Sequence, residues 1–344
     1  MKDKVPSSYA GARAAQLMRV LAKWAKLLSL SLLALVLTGI LVGWAYQAIM
    51  EARDDRRYPP RGRLVEVSGH RMHIDCKGQG SPTVIIEQGI GVQSLSWSQV
   101  NEHLSAITTV CAYDRVGMGH SDPVDHPTSS REVAENLHGL LQAAGVTGDI
   151  VLVGWSAGGM YAREYYRQFP DRVKGMVLVD SAHEQQSVRM PPPQDIPFNP
   201  IVVYQYLAPI GWIRASGMLE RQIAKSPLPI PVKQRLVAVR SKAHMYRTLV
   251  AEGEGFLADL AENRAPPDLG EMPLIVLTAG KPGDPFMTEN LTVWLELHRE
   301  LSRLSTNGKH IIATKSAHAI HRSEPDLIID SVHDVVSAVR GEQH

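Results

Sequence analysis

The run "VLVGWSAGG" (151–159) holds Ser156 between Gly154 and Gly158 in the pattern Gly-x-Ser-x-Gly. A serine hydroxyl is a weak nucleophile at neutral pH and attacks a carbonyl only when a base takes its proton. The rest of the chain must then supply that base, a carboxylate behind it and two backbone donors for the oxyanion. For the base, "KHIIATKSAHAIH" offers His318 and His321; His183, after the run "MVLVD", is expected to line the pocket instead. For the carboxylate there are Asp180, at the end of "VLVD", and Asp284, in "LTAGKPGDP". Each of these residues also suits an ordinary role: a packed or surface histidine, a turn aspartate, a helix cap. The five-residue pattern recurs by chance, so its surroundings must decide.

Those surroundings are ordered. The apolar run "DIVLVG" leads into Ser156 and the amphipathic "AGGMYAREYYRQFP" leads out of it, a strand–turn–helix sequence of the kind that exposes a nucleophile on a tight turn. Gly154 and Gly158 let strand and helix approach closely, because neither carries a Cβ. Earlier, "LVEVSG" and "HRMHIDC" alternate at period two, and "TVIIEQG" (83–89) and "TTVCAYD" (108–114) are nearly continuous apolar runs. Runs of that kind suit strands buried on both faces. "SSREVAENLHGLLQAAG" has the apolar stripe of a helix that ends at Gly145. After it come the strands "VKGMVLVD", "PLIVLTAG" and "KHIIATKS", and the helices "ENLTVWLELHRELSRL" and "PDLIIDSVHDVVSAVRG". Strands alternating with helices predict an α/β fold with a mostly parallel sheet covered on both faces.

Residues 184–271 interrupt the alternation. They open on the proline-rich "MPPPQDIPFNP" and continue with helical segments, which predicts a helical lid over the carboxyl ends of the strands, where open α/β sheets bind ligands. At the other end of the chain, "LLSLSLLALVLTGILVGWAYQA" (27–48) is uncharged and long enough for a hydrocarbon core that needs roughly 20 apolar residues. A cleaved signal peptide has a shorter apolar region followed by a small-x-small site, and no convincing site follows here. Residues 1–26 carry six Lys or Arg against Asp3, whereas mixed charges follow the span. The expected topology is therefore a single-pass anchor with a cytoplasmic N-terminus and the body on the outer side. The predicted segments are a basic tail (1–26), an anchor (27–48), a polar linker (49–62), a core (63–183 and 272–344) and the lid (184–271).

Composition excludes other classes. Hydrophobic residues are 44% and charged ones 21%, enough for a sizeable core. A net charge of +1, with no basic stripe interleaved with aromatics, gives no reason to expect nucleic acid. Two cysteines, Cys76 and Cys111, are too few for a disulfide framework or a cysteine zinc site.

Taken in order, "TVIIEQGIG", "CAYDRVGMGHSDP", "VGWSAGG", "MVLVDSAHEQQ" and "SAHAIHRSEPDLI" resemble an α/β-hydrolase fold enzyme over residues 63–342. The resemblance implies an eight-stranded, mostly parallel sheet. It places the catalytic histidine at His318, after the last strand, with His321 the competitor. The acid falls at Asp284, where the fold usually carries it, or at Asp180, one strand after the serine; a branch with "VDS-x-H" and "LTAG" segments favours Asp180. The N–H groups of Ala157, after the nucleophile, and Ile90, in the "GIG" loop, would form the oxyanion hole. No metal or organic cofactor is implied. The chain departs from the family at Gln88 and Trp155, where histidines are usual, and both bear on specificity. Serine in place of aspartate argues against epoxide hydrolase or haloalkane dehalogenase chemistry. In this fold the second and fourth strands adjoin, so Cys76 and Cys111 form either a cross-strand disulfide or two buried thiols. The expected protein is a membrane-anchored carboxylic-ester hydrolase acting on a small, lipophilic acyl ester. Acyl transfer, amide or peptide cleavage, and a non-catalytic binding role on the same fold are the alternatives.

Overall fold

The computed structural model describes residues 7–124, 126–191 and 199–342. The first part of the basic tail and most of the proline-rich opening of the lid lie outside the described residues. Helix α1 (Ser7–Arg57) is continuous over 51 residues. Its leucines are exposed on every side, Leu28 at 69%, Leu35 at 70% and Leu41 at 66%. It is long and apolar enough to cross a membrane. Residues 49–57, expected as linker, are the last turns of this helix, and only 58–62 connect it to the sheet. Nothing between Met50 and Arg57 breaks a helix; Pro59 and Pro60 do.

Eight strands follow: β1 (Arg63–Val67), β2 (His70–Lys77), β3 (Thr83–Glu87), β4 (Val110–Asp114), β5 (Ile150–Trp155), β6 (Val173–Val179), β7 (Leu274–Ala279) and β8 (Gly308–Ala313). They form one sheet in the order β1-β2-β4-β3-β5-β6-β7-β8. The first two pairings are antiparallel and the rest parallel. Cys76 faces Cys111 across β2 and β4, and the two form a disulfide.

Period-two alternation assigns the two sheet faces. Ile85 and Leu152 point into one core, Val84, Ile86, Val151 and Val153 into the other. Helices α2 (Ser98–Leu104), α3 (Ser130–Ala143) and α4 (Ala157–Gln168) cover these faces, α2 on the second and α3 and α4 on the first. The amphipathic α3 starts at Ser129, whose hydroxyl accepts from the Glu132 N–H, a cap that satisfies one orphan donor.

The lid contains no strand among its described residues. It consists of α5 (Gln186–Arg189), α6 (Ile201–Leu207), α7 (Trp212–Ala215), α8 (Met218–Ala224), α9 (Ile230–Arg240) and α10 (Met245–Glu262), with its own core around Ile213, Leu219, Leu236 and Met245. The chain then returns to the sheet with α11 (Pro285–Ser302), α12 (Ile320–Ser323) and α13 (Pro325–Arg340). Buried Ile328, Val332 and Val336 seat α13 against the second face.

Candidate active site

β5 carries the chain to the carboxyl edge of the sheet, and α4 begins one residue later. Between them Ser156 adopts φ 58° and ψ −129°, a conformation that side chains other than glycine rarely adopt and that surrounding structure must enforce. The enforcement is visible. The Ser156 N–H donates to the Val179 carbonyl, and its own carbonyl accepts from the Gly159 and Ala182 N–H groups. A Cβ on Gly158 would collide with the Glu87 carbonyl, and one on Gly159 with the Ser181 side chain. Gly159 is thus as necessary to the turn as the two glycines of the sequence pattern.

His318 lies in the loop after β8. Its Nε2 is 3.0 Å from Ser156 Oγ, and its Nδ1 is 2.6 Å from Asp180 Oδ2. Asp180 directly follows β6 and is 2% exposed. Its other oxygen accepts from the Trp294 indole N–H at 2.8 Å and the Ala279 N–H at 2.9 Å. Burial by itself would raise its pKa. The hydrogen bond to His318, the neighbouring imidazoles and the Ala279 N–H outweigh burial and hold it below the usual carboxylate value. A buried ionised carboxylate against Nδ1 sets the tautomer that leaves Nε2 free to accept the serine proton.

The structure therefore brings Ser156, His318 and Asp180 into one hydrogen-bonded chain and leaves the other candidates outside it. Asp284 caps α11, its carboxylate accepting from the Met287 N–H at 2.8 Å. His183 does not line the cavity. It is buried beside Glu184, and its Nδ1 accepts from the Gln185 N–H. His321 stacks on Trp97 with centroids 4.7 Å apart and meets Trp155 edge-on. Trp155 in turn donates its indole N–H to the His318 carbonyl at 2.8 Å, which explains a tryptophan at this position: it buttresses the histidine loop.

The N–H groups of Ile90 and Ala157 have no protein acceptor among the described residues. The loop carrying Ile90 is held by Arg115, a residue that sequence reasoning missed. Its buried guanidinium donates to the carbonyls of Gln88 and Gly89 and pairs with Glu87 at 2.7 Å and Glu252 at 2.8 Å. Glu252, from α10, also accepts from the Gly91 N–H. Arg115 directly follows "YD" in a quoted motif, which was a usable signal. Nothing local marks Glu252 or Trp294.

A cavity of about 320 Å³ opens over Ser156 and His318. Ile90, Met190, Phe256, Phe286, Met287 and Leu291 make it largely apolar, with Asp180, Lys281 and Asp284 as its charged members.

His321 gives a test of this packing. Among the described residues neither of its ring nitrogens has a hydrogen-bond partner, and burial pushes its pKa down to about 3 from the ordinary 6.5. Between those values the unfolded chain binds a proton that the folded chain refuses, so stability falls as the pH drops. His321→Phe is expected to flatten that fall by up to about 1.4 kcal/mol per pH unit, read from urea melts at neutral and acid pH. A variant whose stability declines in parallel with the parent's would show that His321 is not held neutral.

A sequence model of the Alpha/beta hydrolase family matches residues 84–331. Over 259 residues the chain is 24% identical to the uncharacterized protein YqjL of Bacillus subtilis, covering 75% of this chain and 85% of that protein. It is 32% identical over 134 residues to an uncharacterized vacuolar membrane protein of Saccharomyces cerevisiae, covering 34% of this chain and only 21% of the longer relative. Among solved structures it is similar to a thermophilic esterase from Thermogutta terrifontis, with a TM-score of 0.56 and 19% identity over 80% of this chain and 98% of that one. At that identity the likeness concerns the fold.

Proposed function

We propose, from the premise that this chain belongs to the alpha/beta hydrolase family, that it is a membrane-anchored serine hydrolase cleaving lipophilic carboxylic esters. One observation carries the chemistry: the unbroken line from Asp180 through His318 to Ser156. In the proposed cycle His318 Nε2 removes the Ser156 proton as Oγ attacks the acyl carbon. The carbonyl π electrons move onto oxygen, which the N–H groups of Ile90 and Ala157 receive. The imidazolium, stabilised by Asp180, returns the proton to the departing alkoxide as the ester C–O bond breaks. Water, deprotonated by the same imidazole, then attacks the acyl carbon; the bond to Ser156 Oγ breaks, the imidazolium returns its proton to Oγ, and the acid is released. Asp284 has no part in this cycle, because its carboxylate caps a helix.

The apolar cavity supports an acyl chain as the bound group. Its Met and Phe walls would gain on the order of 0.8 kcal/mol per buried CH₂. The exposed leucines along α1 support the anchor, and the positive charge that precedes it supports a cytoplasmic N-terminus with the body outside. Acyl transfer and amide cleavage use the same groups and differ in acceptor or leaving group.

The test is a chain-length series of p-nitrophenyl esters with the full chain in mixed micelles. We expect kcat/KM to rise several-fold per added pair of methylenes until the cavity is filled. Equal turnover of acetate and octanoate esters would remove the lipophilic substrate while leaving the hydrolase intact.

A further inference from the structure

The last turns of α1 are clasped by the lid. Gly43 lies inside the uncharged run, five residues before its end at Ala48, and a Cβ there would collide with the Ile210 carbonyl in the turn between α6 and α7. Further along the same helical stripe, Gln47 is buried and donates to the Ser241 carbonyl at 2.6 Å. Glu51 accepts from the Ala243 N–H, and Asp54 pairs with Arg214. Helix spacing of four, four and three residues puts these positions on one face, so the clasp is a continuous seam.

The seam fixes a depth. At 1.5 Å per residue, the Gly43–Ile210 contact lies about 7 Å inside the end of the apolar run. The elements flanking Ile210 carry apolar and aromatic groups in the open. On α6, Val202 is 46% and Tyr206 72% exposed, one helical turn apart, and Trp212 at the start of α7 is 44% exposed. On α1, at the same level, Trp44 is 61% exposed. Residues 212–247 of the lid contain eight Lys or Arg and a single acid, Glu220; Arg214 and Lys242 pair with Asp54 and Asp55 of α1, and Arg221, Lys225 and Arg247 are exposed. Amphipathic aromatics beside a basic surface suit the boundary between headgroups and acyl chains, where cations meet anionic lipid.

We infer that the α6–α7 corner of the lid is seated in the interfacial layer of an anionic bilayer, as a second membrane contact beside α1. The inference rests on the proposed spanning role of α1. It gives the lid a fixed station: α6 and α7 are held between the anchor and the lipid, and the body sits against the membrane surface rather than at the end of a free tether. A second copy of the chain is the competing occupant, but depth set by α1 and the basic surface both favour lipid.

The chain's two cysteines are joined in a disulfide, so a new cysteine can be labelled selectively without reduction. Full-length variants Tyr206→Cys, Trp212→Cys, Leu35→Cys and Ile312→Cys, each carrying the NBD fluorophore, are placed in phosphatidylcholine–phosphatidylglycerol vesicles with nitroxide lipids. Labels at 206 and 212 are expected to shift to the blue and be quenched most by a nitroxide near the headgroup, with weaker quenching in phosphatidylcholine alone. The label at 35 is expected to be quenched most by a nitroxide deep in the chain, and that at 312, on the far edge strand, by neither. Labels at 206 and 212 as aqueous as that at 312, with 35 quenched, would overturn the second contact and leave the anchor standing. A blue shift at 206 and 212 without lipid quenching would overturn it in favour of a protein partner. An unquenched label at 35 would remove the anchor and the inference together.

Discussion

Replacing Ser156 with alanine is expected to abolish covalent labelling by a fluorophosphonate probe and to lower ester hydrolysis by roughly 10⁴-fold or more, the scale seen when a nucleophile is removed from a working triad. Some rate over water would survive, since the Ile90 and Ala157 donors and the apolar cavity remain. The fold should survive too. Among the described residues the Ser156 side chain bonds only to His318, and the turn is held by backbone bonds and glycine contacts that alanine leaves in place. Alanine accepts the φ of 58° no worse than serine does, so the melting temperature should barely move. A Ser156→Ala protein that still reacts with the probe would place the nucleophile elsewhere and end the proposed mechanism.

The second large effect separates two aspartates by exchanging each for asparagine. In Asp180→Asn the new amide oxygen could still accept from Trp294 and Ala279, so packing should hold. The amide NH₂ group would then face His318 Nδ1, favour the opposite tautomer and leave a proton on the nitrogen that must accept one from Ser156. A loss of about 10⁴-fold in kcat with little change in KM is the expected size for that exchange. Asp284→Asn, in contrast, keeps the cap on α11, because asparagine is as good a cap as aspartate. Its kcat should stay near the parent value, with any change confined to KM, since Asp284 lines the cavity. Assays of both variants on one model ester decide the matter. If Asp284→Asn lost the activity and Asp180→Asn kept it, the acid would have to reach His318 in a conformation different from the one described.

Asp180 and Asp284 also show where sequence reasoning stops. Both are aspartates in loops that follow strands, both at the carboxyl edge of the sheet, and the catalytic pattern alone does not choose between them. The outcome depends on two things that emerge in three dimensions. Just past β6, Asp180 is buried between α11 and the His318 loop, where Trp294, 114 residues along the chain, supplies a donor. Asp284 stands immediately before Pro285 at a helix start, and its carboxylate is used on the Met287 N–H. A cap signal was legible there, and the competition between capping and catalysis follows once the helix boundary is known. Likewise His318 and His321 stand three residues apart, His318 in the loop after β8 and His321 in α12. Only the packing of Trp97 and Trp155 turns one away from Ser156 and into the core.

The alternation of strands and helices, the strand–turn–helix setting of Ser156, the helical insertion and the long apolar N-terminal helix are all legible in the residues alone. Each of these rests on short-range physics: side-chain period, turn chemistry, and the length of uncharged chain that lipid can accept. Tertiary structure decided which aspartate meets the histidine and how Arg115 and Glu252 brace the Ile90 loop. It also decided that the expected linker is helix, clasped by the lid. Those outcomes join residues far apart in the chain, such as Asp54 with Arg214 and Arg115 with Glu252. Partners at that separation leave no periodic trace, because it is the closure of the sheet and the docking of the lid, rather than neighbouring residues, that brings them together.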